Sequence, residues 1–151
     1  MRRVRHVLVG ATIGLAAIGT ADTAPVTADH AYRATGTIMT GANEVPTVGD
    51  ADGVGVAGIV INVQRGRICY LLAVDKIAPA TLAHIHVGEA GVPGDVVVTL
   101  KAPSKGFSAE CIAVDKQLAG DIAHNPSGYY VNVHNAEFPA GAVRGQLHDG
   151  G

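Results

Sequence analysis

The chain has 151 residues, 48% hydrophobic and 16% charged, with 20 Gly, 7 Pro, no Trp and a formal charge of −2. That length fits one domain, and low charge with a mean hydropathy of +0.27 excludes a disordered polyelectrolyte. Eleven Lys+Arg against thirteen Asp+Glu, four Tyr and two Phe leave neither a phosphate footprint nor a stacking platform, so no nucleic-acid partner is expected.

Met1 to His6 carries Arg2, Arg3 and Arg5, and an apolar run follows from Val7 to Gly19. A basic start, a short apolar stretch and then small residues form the layout of a secretory signal peptide. About a dozen apolar residues are too few for a spanning helix, which takes about 20. Cleavage is placed at Gly19-Thr20-Ala21 or Val26-Thr27-Ala28, with the second preferred. This gives a signal peptide over 1–28 and a single domain over 29–151; an uncleaved anchor is the alternative. The Arg2-Arg3 pair is not extended into a twin-arginine motif, and no Cys follows the apolar run as a lipid anchor would need. Eight basic and twelve acidic residues remain after residue 28, a charge of 8 − 12 = −4. The expected destination is the cell envelope or the outside, with no transmembrane segment in the mature chain.

An exported chain is in an oxidising compartment, where Cys69 and Cys111 most simply pair with each other. The loop closed would span 111 − 69 = 42 positions, worth about 4 kcal/mol by chain entropy.

Arg33 to Thr40 reads as a strand ending at Gly41, and Asn43-Glu44-Val45-Pro46 as a turn. Val54 to Val63 and Ile68 to Val74 are apolar runs joined around Arg65-Gly66, the strongest hairpin signal in the chain. Gly55 and Gly58 mark a bulge or close packing. Leu82 to Val87 and Val96 to Leu100 are further strands around the Gly88 to Gly94 loop, and Cys111 to Val114 is a short one. From Asp115, an N-cap residue, the period changes: Leu118 and Ile122 are spaced i, i+4, predicting one short helix near 115–124 that stops at Asn125-Pro126. Tyr129 to His134 and Ala142 to His148 close the chain as neighbouring antiparallel strands. Seven to eight short strands predict an all-β, Greek-key-like sandwich or barrel.

Three places could carry chemistry. In a strand, i and i+2 share a face, so His84 and His86 project together and could chelate one metal ion. His134 ends a strand with Tyr130 and Asn132 on its face and would supply a third imidazole. Arg144, Gln146 and His148 form a polar face on the last strand. Against these stand plainer readings: strand histidines often only hydrogen-bond to backbone. Arg144 would be a structural ion-pair partner of Glu44 or Glu137, and His124 and His148 are solvated surface. No Ser-His-Asp spacing, nucleophile elbow or phosphate loop is present.

The blocks Thr40-Gly41-Ala42-Asn43-Glu44-Val45-Pro46, Ala83-His84-Ile85-His86-Val87-Gly88, Tyr130-Val131-Asn132-Val133-His134 and Pro139-Ala140-Gly141-Ala142-Val143-Arg144-Gly145-Gln146-Leu147 together resemble the CHRD domain, the module named after its repeats in chordin and also found alone in exported bacterial proteins. The resemblance runs in order over about residues 35–148. Thr47 stands where the family has a second Pro, and Val143 where it has Ile. The resemblance implies an all-β, immunoglobulin-like or barrel-like extracellular domain. It carries His84, His86, His134 and Arg144 as matched positions, and it supports the Cys69–Cys111 pairing through a subset of bacterial members.

Two functions are expected from this. One is a non-enzymatic binding or structural module for a cell-envelope or extracellular ligand, in which His84, His86, His134, Asn132, Arg144 and Glu44 form a polar network or cleft. The other is a copper or zinc protein, related in design to copper/zinc superoxide dismutase, whose sandwich also takes ligands from an H-x-H strand. They part on whether the three imidazoles converge within about 4 Å, as a metal about 2.0–2.1 Å from each nitrogen requires; imidazoles that point apart, or that each have a hydrogen-bond partner of their own, count against the metal.

Overall fold

In the computed structural model, residues 32–149 are described; the signal peptide and cleavage site expected over 1–28 lie outside them. The described chain runs β1 (Tyr32–Thr40), β2 (Val54–Asn62), β3 (Arg67–Asp75), β4 (Ala80–Val87), β5 (Val96–Leu100), β6 (Phe107–Ala113), α1 (Lys116–His124), β7 (Tyr129–Asn135), β8 (Val143–Gln146) and β9 (His148–Asp149). No helix among these residues is long and apolar enough to cross a membrane.

All strands join one antiparallel sheet in the order β5-β4-β7-β8-β1-β2-β3-β6, with β9 on β1. The β2–β3 hairpin keeps an unbroken register from Val54↔Asp75 to Asn62↔Arg67. Its turn is closed by Gly66 at φ +57°, a conformation that costs glycine little. The unbroken register excludes a bulge at Gly55 and Gly58; Gly55 is close packing, where a side chain would meet Met39 and Ala73, whereas one at Gly58 would make only ordinary contact with Leu71. β1 and β8 share only the pair Thr40↔Arg144 within the strands. There the sheet curls back on itself, and the expected sandwich or barrel is realised as a half-barrel.

The curl brings two four-strand halves face to face. Ile59, Ile61, Ile68 and Leu72 from β2 and β3 meet Ile85, Val131, Val133 and Val143 from β4, β7 and β8 in one core. Ala119 and Ile122 of α1 enter the same cluster. The helix begins as predicted, with the Asp115 carboxylate accepting from the Gln117 and Leu118 backbone N–H groups at 2.8 and 3.2 Å.

β6 is longer than the sequence predicts, starting at Phe107 rather than Cys111. Ser108 and Ala109 carry no strand signal of their own. The ladder to β3, from Arg67↔Ala113 through Cys69↔Cys111 to Ala73↔Phe107, extends the strand through them. The expected disulfide joins Cys69 to Cys111, directly opposite in that ladder.

Candidate metal centre

The inward faces of β4 and β7 are apolar, so alternation sends His84, His86, Tyr130, Asn132 and His134 to the outer face. The register places them side by side: Leu82↔His134, His84↔Asn132 and His86↔Tyr130. On the far side of β7, Asn132 faces Arg144 and Tyr130 faces Gln146. His86, Asn132, His134 and Arg144 are buried although they lie outside the core, because loops roof this half of the sheet.

The roof is tied down by side chains of the layer beneath it. Arg144 Nη2 donates to the Glu89 and Val92 carbonyls at 3.0 and 2.9 Å. Gln146 Nε2 donates to Gly88, Ser127 and Tyr129 carbonyls at 2.7–2.8 Å. Gly94 presses so closely on the Val87 carbonyl that a Cβ there would collide. The backbone N–H of Gly94 donates to the Tyr130 hydroxyl at 3.1 Å.

Within the layer, the His84, His86 and His134 ligand atoms all lie within 4.8 Å of one another. The closest pair, His84 Nδ1 and His134 Nε2, is 3.1 Å apart. That pair meets the 4 Å criterion; the set as a whole is wider than it. Nitrogens sharing one ion about 2.0–2.1 Å away can be at most about 4 Å apart, so the triad must tighten by about 1 Å. His84 is the half-buried member of the set.

His86 and His134 each have a hydrogen-bond partner of their own, which counts against a metal, but at Nδ1 rather than at Nε2; these two backbone carbonyls fix the tautomers. His86 Nδ1 lies 2.8 Å from the Gly94 carbonyl and His134 Nδ1 lies 3.1 Å from that of Pro139. A carbonyl only accepts, so each Nδ1 carries the proton and each Nε2 presents a lone pair. His86 Nε2 is buried without a partner, which for a polar atom costs free energy unless something else binds it. His134 Nε2 accepts from His84 Nδ1–H; moving that one proton to His84 Nε2 leaves each of the three rings with a free lone pair. Burial, and then the neighbouring His134 and His86 imidazoles, lower the His84 pKa from 6.5 to about 4. Burial also lowers that of His134. Both rings are therefore neutral at physiological pH, the state in which imidazole ligates.

Tyr130 stacks on His86 with ring centroids 4.8 Å apart and planes 7° from parallel. The Arg144 guanidinium lies 3.4 Å over the same Tyr130 ring. β7 runs between β4 and β8, so Tyr130 is clamped from both sides and in turn holds the His86 ring in place.

Arg144 departs from expectation. Its partners are loop carbonyls and an aromatic face, not the carboxylate of Glu44 or Glu137, because β8 points it under the 88–94 loop. Glu44 is nonetheless close enough to feel its charge. Burial outweighs that attraction and the Val45 backbone hydrogen bond, raising the Glu44 pKa from 4.5 to about 7. Glu44 Oε1 and Asn132 Oδ1 are buried without partners. The Glu44 carboxyl sits against Gly141, at φ +147°, where any side chain would clash with it.

His124 and His148 are exposed and apart from the triad, as expected. The orienting carbonyls of Gly94 and Pro139 and the clamping of Tyr130 are missed in the sequence. Their one signal is that glycine- and proline-containing loops flank the His-x-His strand and follow His134.

The family described as CHRD domain matches residues 35–147 of this chain. Comparison with curated proteins and with solved structures returns no match.

Proposed function

The chain belongs to the CHRD domain family, and from that premise we propose that it is an exported binding module whose ligand is a transition-metal ion, copper or zinc, held by His84, His86 and His134. One observation carries the reading. Two histidines donate Nδ1–H to backbone carbonyls, which leaves their Nε2 lone pairs free; that of His134 faces His84 at 3.1 Å and that of His86 is buried without a partner. Outer partners of this kind orient ligating histidines and raise their basicity. Export is supported by the disulfide, which persists in oxidising compartments, and by the signal-like N-terminus. The module needs no catalytic residue: the sheet and its loop roof hold the ligands, and the disulfide lies on the other half.

Calorimetry with copper(II) and zinc(II) tests this. The expected result is one ion per chain, with affinity lost in His86→Ala and His134→Ala and kept in His124→Ala and His148→Ala. Removing a ligand should cost more than the about 10–100-fold typical of removing an outer partner. No heat at micromolar metal in the intact protein contradicts the reading.

His84, half-buried beside two buried partners, favours a second reading, in which the three histidines would hold copper and the copper would supply dismutation, two superoxides and two protons giving dioxygen and hydrogen peroxide. Superoxide consumption by the copper-loaded protein, above that of His86→Ala, would establish it.

A further inference from the structure

The two halves of the sheet differ on their outer faces. An antiparallel sheet packed on one side normally alternates to polar residues on the other. The β4–β7–β8 half does so under its loops, but the β1–β2–β3–β6 half does not. Ile38, Val56, Ala73 and Phe107 form one row straight across four strands, and Leu71 and Val60 flank it. Ile38 and Phe107 are 69% and 61% exposed, Val56, Val60 and Leu71 each 44%. The face carries no charged side chain from Arg67, at one end of β3, to Asp75, at the other.

We propose that this face is a two-fold interface between two copies of the chain. Four strands about 4.8 Å apart and seven residues long, at about 3.4 Å each, present on the order of 450 Å². Doubled to about 900 Å² before side-chain relief is counted, this falls just short of the about 1,000 Å² of a stable specific interface and fits a weak, concentration-dependent dimer. A single face of this size lies in the middle of the about 300–600 Å² that the largest apolar patch on a monomer covers, a patch that often serves a function.

Charge selects the second copy and its orientation. Arg67 and Asp75 lie four residues either side of Leu71 on the same strand face, and neither has an ion-pair partner among the described residues. A two-fold axis through Leu71, lying in the face and running across the strands, sets Leu71 on Leu71 of the second copy. The same rotation brings each Arg67 over the other copy's Asp75, twice per dimer. An axis along the strands would instead bring like charges together, which complementary interfaces avoid. The slight rotation of packed sheets, about 30°, leaves the opposite charges within a Debye length of about 8–10 Å.

Sedimentation velocity of the purified protein over a micromolar to submillimolar series decides it. The expected result is a concentration-dependent monomer–dimer equilibrium, abolished by Leu71→Glu, a surface change that leaves the core intact. Arg67→Asp alone and Asp75→Arg alone should each weaken the dimer about tenfold, and the two together should restore it. Monomer at every concentration overturns the proposal, as does a dimer indifferent to Leu71→Glu. Single charge reversals that weaken the dimer without rescue in the double variant overturn the two-fold arrangement. Monomer that binds phosphatidylglycerol vesicles through Leu71 also overturns it and gives the face to a lipid surface.

Discussion

Glu44 is 4% exposed, and its carboxyl is wedged between Gly141 and the field of Arg144. Burial raises its pKa from 4.5 to about 7, so between those values the folded state holds a proton that the unfolded state has released. The stability this contributes is complete below 4.5 and is lost as pH rises through 7. Glu44→Gln, which keeps the shape and cannot ionise, should therefore gain on the parent as pH rises across that window, by on the order of 2 kcal/mol once residual screening is allowed for. Melting curves of the pair at several pH values read this directly; parallel curves would show that the carboxyl stays ionised in the fold. At this scale the sequence was informative where strand parity decides the outcome, as for His84 and His86. It was silent on Arg144 and on the tautomers of His86 and His134, because loop carbonyls brought in from residues 89–94 and 139 set them.

Strand identity was legible wherever β-branched runs met turn residues, and β2, β3, β5 and α1 lie close to their expected bounds. β6 is longer than its composition implies, because only its partner makes Phe107 to Glu110 extended. Strand order was not legible either: β4 with β7, β3 with β6 and β8 with β1 are pairings between distant segments that no local pattern encodes. The disulfide lies on one of these pairings, binding edge strand β6 to β3. The double variant Cys69→Ala/Cys111→Ala should lose about 2–4 kcal/mol, the range expected for a loop of this length. Urea denaturation measures the loss. Because the bond sits on the half of the sheet away from the histidines, metal affinity of the folded variant should be unchanged. A variant as stable as the parent would mean that the β3–β6 ladder alone holds the edge.

At the scale of the whole molecule, one curled sheet makes two outer surfaces with different uses. One is roofed by loops whose carbonyls orient imidazoles; the other is bare and apolar and offers a surface for association. Long-range ¹H–¹⁵N correlation of the imidazole nitrogens during zinc titration separates a metal held on the first surface from a purely structural histidine network. Without metal, His84, His86 and His134 should all appear as Nδ1-protonated tautomers, as their hydrogen bonds require. With one equivalent of zinc, binding at the triad requires coordination shifts at His86 Nε2, His134 Nε2 and His84 Nδ1, with the His84 proton moving to Nε2 and with His124 and His148 unmoved. Unshifted triad nitrogens, or shifts confined to His124 and His148, would contradict it.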